Sequence, residues 1–337
     1  MREIYSHTAL RGIASLLVVF FHYMIILEPT FDFDTHTSFF SKGYLWVDCF
    51  FILSGFILCY VYGTSPGDNQ NKLIDFLWAR FARIYPLHLA TLIGLAGLQV
   101  LVSKIANHPL TIGTWSTFWP NLFGVHAWLM PAKYDWNFPS WSISVELAAY
   151  LLFPFVSFGF SRQPTITIGL LAASVVFALT IGRDHWEQTA LIRGLPMFLF
   201  GVLVFQFRYG IERIRYVSAL QTSAAGALIA SLHFGLYDFA IDLLFAALIW
   251  LTWTDQGVSI ALRTRPLQAL GQWSYSIYML HIPVRIVLGF ALGGRLPQLL
   301  LFGIMLAGTI CAGAVSYRYF EMPVRQALRR RRAVLAA

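Results

Sequence analysis

The chain has 337 residues, 58% hydrophobic and only 12% charged, about half the charged share of an ordinary soluble domain. With a mean hydropathy of +0.64 and repeated apolar runs of membrane-crossing length, a soluble globular protein is excluded. The formal charge of +8 could suit nucleic acid, but the basic residues lie beside apolar segments rather than on one soluble face, so no nucleic-acid partner is expected.

Hydropathy predicts helices over 8–27, 44–62, 84–103, 140–160, 165–182, 190–206, 216–235, 238–254, 267–291 and 297–317. The expectation is an all-α integral membrane protein of about ten transmembrane helices. A short interfacial or re-entrant helix is expected near 114–130, and a single domain over 1–337. The first run lacks a small-residue cleavage site before Glu28 and is read as a retained helix, not a signal peptide. Lys and Arg crowd alternate loops, among them Lys72, Arg80, Arg83, Arg208, Arg263 and the run Arg329 to Arg332. The positive-inside rule then puts both termini in the cytoplasm. Cys49, Cys59 and Cys311 fall in apolar segments and read as packed thiols.

The stretch TALRGIASLLVVFFHYMIIL carries Arg11 and His22, eleven residues apart. That is about three helical turns, so the two share a stripe roughly 16 Å long. An ionisable residue inside a membrane helix marks a functional site by default. Asp48 reaches nearly the depth of His22 in the second helix, and a carboxylate there could orient the imidazole as in acyl-transfer dyads. The alternative is a structural pair that locks two helices. Glu146 near the start of the fourth helix and His281 in the outer half of the ninth complete a four-residue outer layer, expected to form one polar chamber. Taken singly, Glu146 would be a packing acid and His281 a satisfied core histidine.

In FLWARFARIYPLH, before the third helix, Arg80 and Arg83 are three residues apart and share a face. With Arg11 they suit a phosphate-bearing ligand arriving from the cytoplasm, the other reading being positive-inside anchoring. Pro86 is expected only to shape the start of that helix. Trp46 and Trp141 fall near predicted helix ends, where an interfacial aromatic belt is expected. His233 to Asp238 reads H-x-x-x-x-D by coincidence, and no hydrolase, zinc-protease or nucleotide-fold motif occurs, so no metal is expected.

The segments LRGIASLLVVFFH, VDCFFILSGFIL, RFARIYP, SWSISVELAAYLLFP and SYSIYMLH, in that order, resemble the membrane acyltransferase-3 family over essentially the whole chain. The resemblance implies a multi-helix bundle in the bacterial inner (cytoplasmic) membrane. It also implies an acyl-CoA donor, usually acetyl-CoA, and O-acylation of carbohydrates. By motif, His22 matches the essential first-helix histidine, Arg11 the arginine upstream of it and Asp48 the acid preceding FFILSGF. Arg80 and Arg83 match the pair linked to acyl-CoA, and Glu146 the acid of S-x-S-V-E. After Glu146 this chain has Leu147-Ala148-Ala149 where the family often has a second acid or aromatic residues.

On that resemblance the expected partners are acetyl-CoA, membrane lipids and a lipid-linked oligosaccharide or surface glycan. The acceptor would be held by Trp46, Trp141, Tyr278 and His281. A single module with no appended SGNH-type domain is expected, similar to exopolysaccharide acetyltransferases of the succinoglycan type; O-antigen, peptidoglycan or a small glycoside are alternative acceptors. Two rival readings are a transporter using the same polar track and a membrane-bound O-acyltransferase with His281 as its key histidine.

Overall fold

Backbone polar groups in hydrocarbon must be satisfied within the protein, which a helix does inside a single segment. The computed structural model describes residues 3–28, 31–63, 70–105, 110–128, 134–180, 190–254 and 256–336. Among them every regular element is helical: α1 (Tyr5–Met24), α2 (Trp46–Tyr62), α3 (Gln70–Ile105), α4 (Trp115–Leu122), α5 (Trp141–Arg162), α6 (Pro164–Thr180), α7 (Ala190–Gln206), α8 (Val217–His233), α9 (Asp238–Leu251), α10 (Val258–Ala261), α11 (Arg265–Leu292), α12 (Gln298–Ser316) and α13 (Met322–Ala336). A π-helical turn, Tyr317–Glu321, joins the last two.

Each apolar run predicted from hydropathy falls on one of these helices. Among the described residues, five segments are suited by length and composition to cross a membrane: Ser41–Tyr62, Lys72–Ile105, Phe138–Gly159, Arg265–Leu292 and Gln298–Arg332. Helix α1 falls outside that set because His7, Arg11 and His22 dilute its apolar residues. Large apolar side chains such as Leu101, Phe155, Leu170, Phe290 and Val315 face outward, as they do on a bundle solvated by lipid. The chain is an all-helical membrane protein.

Three boundaries differ from expectation. Helix α3 begins at Gln70 rather than near 84, so Arg80, Arg83 and Pro86 lie within it. The stretch FLWAR is too polar to register as a membrane run, yet nothing in it opposes a helix. Helix α4 takes up only the first part of the 114–130 stretch. Beyond 317, where hydropathy predicts no helix, the basic C-terminus forms the helix α13.

Two close helix crossings hold the functional side chains in place. A β-carbon on Gly271 of α11 would strike the carbonyl of Thr8 in α1, and one on Gly12 would strike the backbone of Leu270 and Gly271. Gly55 of α2 and Gly201 of α7 meet in the same way, against Phe198 and Ile52. Small residues allow such backbone contact, which supplies much of the van der Waals attraction between helices in lipid. Gly201→Val is therefore expected to cost about 1–3 kcal/mol or more through overpacking, seen as a lower melting temperature in detergent. Gly97→Ala, whose β-carbon meets nothing within 4 Å, should be neutral to about 0.5 kcal/mol. Equal effects of the two would contradict the crossing.

Candidate active site

A cavity of about 120 Å³ lies between α1, α2, α3, α5 and α11, lined by Arg11, Arg80, Arg83, Glu146 and Tyr278 together with Ser54, Ser142, Tyr150, Ser274 and Tyr275. Phe50, Phe51, Ile57 and Ile84 supply apolar wall. That space admits a few waters or the end of a narrow chain. Four ionisable residues selected from three separate sequence segments thus meet in one place.

Each charge has a specific neighbour. Arg80 donates to the Tyr62 hydroxyl at 3.0 Å and lies over the rings of Tyr62 and Tyr150, while its Nε is buried with no hydrogen-bond partner among the described residues. Arg83 donates to Glu321 at 3.3 Å, whose second oxygen accepts from Ser276 at 2.8 Å. Arg11 donates to Ser274 of α11 at 3.3 Å. Glu146 accepts from Ser54 at 3.1 Å and from Tyr150, one turn further along α5.

At the cavity's other end Tyr278 exchanges a hydrogen bond of 2.7 Å with Ser142, and its ring lies 5.7 Å from that of His281. The rings of His281 and His22 are 4.9 Å apart. His22 places Nδ1 2.9 Å from the carbonyl of Val18, and His281 places Nδ1 against the carbonyl of Tyr278. A carbonyl only accepts, so both Nδ1 atoms carry hydrogen, and in its neutral form each ring has its lone pair on Nε2. His281 is fully buried, and its Nε2 has no hydrogen-bond partner among the described residues. Arg285 holds the His22 carbonyl at 2.8 Å, and Tyr23 that of His281 at 2.6 Å.

The expected outer layer of four ionisable residues divides. Asp48, fully buried, meets Arg193 of α7 through Nε at 3.0 Å and Nη2 at 3.1 Å; it is joined to Arg193, not to His22. A bidentate guanidinium compensates a buried carboxylate far better than one imidazole nitrogen. Glu146 belongs to the arginine cavity rather than to the histidine pair. Of the four residues expected to hold the acceptor, Tyr278 lines the cavity and His281 adjoins His22. The other two are core residues outside its lining: Trp46 packs against Phe245, and Trp141 against Phe51 beneath Arg193. Arg193, Arg285, Tyr150 and Glu321 escaped the sequence reading. The rule that selected Arg11, an ionisable group inside a predicted helix, would also have selected Arg193 and Arg285.

Residues 4–318 match the family described as an acyltransferase domain. Acyltransferase MdmB of Streptomyces mycarofaciens is 28% identical over 98% of this chain and 94% of its own length. Protein 2 in the picA locus of Rhizobium radiobacter is 41% identical over 25% of this chain and 39% of its own length. Peptidoglycan O-acetyltransferase OatA of Listeria monocytogenes is 21% identical over 95% of this chain, which spans 56% of that protein. No solved structure matches the chain significantly.

The ion pair separates a structural role from a catalytic one. Asp48→Asn removes the carboxylate that Arg193 holds through two hydrogen bonds and should cost about 3–5 kcal/mol, most of it recovered in the double variant Asp48→Leu/Arg193→Met. Thermal unfolding in detergent micelles reads this. An Asp48→Asn protein that melts like the parent but transfers nothing would return Asp48 to the chemistry.

Proposed function

The chain belongs to the acyltransferase family whose domain it matches over residues 4–318, and on that premise we propose that it is a membrane O-acetyltransferase. The donor would be cytoplasmic acetyl-CoA, and the acceptor a sugar hydroxyl on a lipid-linked oligosaccharide for exopolysaccharide or another surface glycan. One observation carries the reading: a single cavity gathers three arginines, and Tyr278 in its wall adjoins His281, whose ring lies 4.9 Å from that of His22. The curated relative OatA, named as an O-acetyltransferase of a glycan, supports the choice of acyl group and acceptor class.

In this reading ten helices span the inner membrane, both termini are cytoplasmic, and the arginine end faces the cytoplasm. Arg11, Arg80 and Arg83 hold the donor's phosphates, for which the unpartnered Nε of Arg80 is a fitting donor. The Arg11–His22 stripe, roughly 16 Å long, matches a donor whose thioester ends a long flexible arm. Nε2 of His22 takes the proton from the sugar hydroxyl as its oxygen attacks the thioester carbonyl. The C–S bond then breaks, and the imidazolium returns that proton to the sulfur, leaving an ester and a free thiol. His281 stands beside the ring that becomes charged, and its own Nε2 lone pair can share the proton. Glu146 balances the arginine charges and, through Ser54 and Tyr150, fixes the cavity wall.

The test is transfer of radiolabelled acetyl from acetyl-CoA to lipid-linked glycans by the purified protein. His22→Ala should keep acetyl-CoA binding and lose about 10²–10⁴ in rate, whereas Arg80→Ala should chiefly weaken donor binding. A wild-type protein that binds no acetyl-CoA but moves a solute across liposomes would make it a transporter instead.

A further inference from the structure

Helix α13 runs back along the first half of α3. Arg83 reaches Glu321 at 3.3 Å, Trp78 donates its indole N–H to the carbonyl of Leu328 at 2.9 Å, and Arg332 meets Asp75 at 2.9 Å. Rising numbers on one helix meet falling numbers on the other, so the two are antiparallel and Arg325 comes level with Arg80. Arg325 follows Glu321 by four residues and precedes Arg329 by four, which puts all three on one face. The guanidinium of Arg325 is repelled by Arg83, Arg80 and Arg329 and attracted by Glu321.

Glu321, already engaged by Arg83 and Ser276, and Glu146 in the adjoining cavity are outnumbered by Arg11, Arg80, Arg83, Arg325 and Arg329. Like charges held together at the end of a bundle are unfavourable unless an anion joins them. Arg80 adds a second observation, a buried Nε without a hydrogen-bond partner among the described residues. Arg325 is half-buried, while Arg330 is exposed. The family match ends at residue 318, before any of α13, so nothing in it assigns this helix a part in the site.

We propose that α13 completes the donor site, with Arg325 facing Arg80 across the α3–α13 contact to clamp a phosphate group of a nucleotide-linked acyl donor. The proposal rests on the acetyl-CoA reading of the same cavity. The same chemistry could recognise the phosphate of an anionic lipid headgroup; adjacency to the cavity that Arg80 and Arg83 line favours the donor.

The test is equilibrium binding of acetyl-CoA, and of adenosine 3′,5′-bisphosphate as a competitor, to the full chain purified in neutral detergent. Arg325→Ala should weaken both about tenfold, the scale of one charge-assisted hydrogen bond. Its melting temperature should not change, Arg325→Lys should recover part of the affinity, and Arg330→Ala should bind as the wild type does. Unchanged affinity in Arg325→Ala would overturn the proposal, as would an equal loss in Arg330→Ala. Parallel measurements in nanodiscs with and without phosphatidylglycerol separate the sources: a variant that loses only retained lipid, at full acetyl-CoA affinity, makes the ligand a headgroup and ends the proposal. If the wild type itself binds no acetyl-CoA, the donor reading fails and this proposal with it, a result distinct from wild type and variant binding equally.

Discussion

Helices α1 and α11 touch backbone to backbone at Gly12 and Gly271, and the polar contacts of the site depend on that approach. The two helices run in the same direction, so successive residues of α1 meet successive residues of α11. Arg11 meets Ser274, and further along His22 meets His281. Arg285 and Tyr23 then tie the two backbones together beside the histidines. A larger residue at either glycine would part the helices and separate both imidazoles together with the arginine end.

Around that seam the buried charges fall into two kinds. Asp48 and Arg193 satisfy each other through two hydrogen bonds and line no part of the cavity. They sit where α2 and α7 cross closely, and their geometry fits a lock between helices. Arg80 and His281 are different, each keeping a buried nitrogen with no partner among the described residues. Buried polar atoms are nearly always paired, so an unpaired one beside a cavity marks where a ligand or water completes the structure. Arg80 lines the cavity and His281 adjoins Tyr278 of its wall, which fits a reaction whose anionic handle and reacting carbonyl are far apart.

Much of this arrangement was legible in the sequence. Hydropathy located the long apolar helices because burial of backbone in lipid leaves little choice of structure. Arg11, Arg80, Arg83 and Glu146 stood out as charges in or beside apolar runs, and all four line the cavity. What could not be read was azimuth. Asp48 and His22 can be assigned similar depths by counting residues, but depth does not say which neighbouring helix a side chain faces. Asp48 faces α7, while His22 faces α11. Helix α13 was hidden for another reason: it is too polar for a hydropathy search, and its attachment to α3 rests on contacts between residues far apart in the chain, such as Trp78 with Leu328.

A cryo-EM map of the protein with acetyl-CoA bound would test the donor path most sharply. It should show the nucleotide phosphates against Arg80 and Arg83, and the thioester carbonyl within hydrogen-bond reach of a group positioned by Nε2 of His22. Density for the donor on another face of the bundle, or with its thioester well away from the His22–His281 pair, would contradict it.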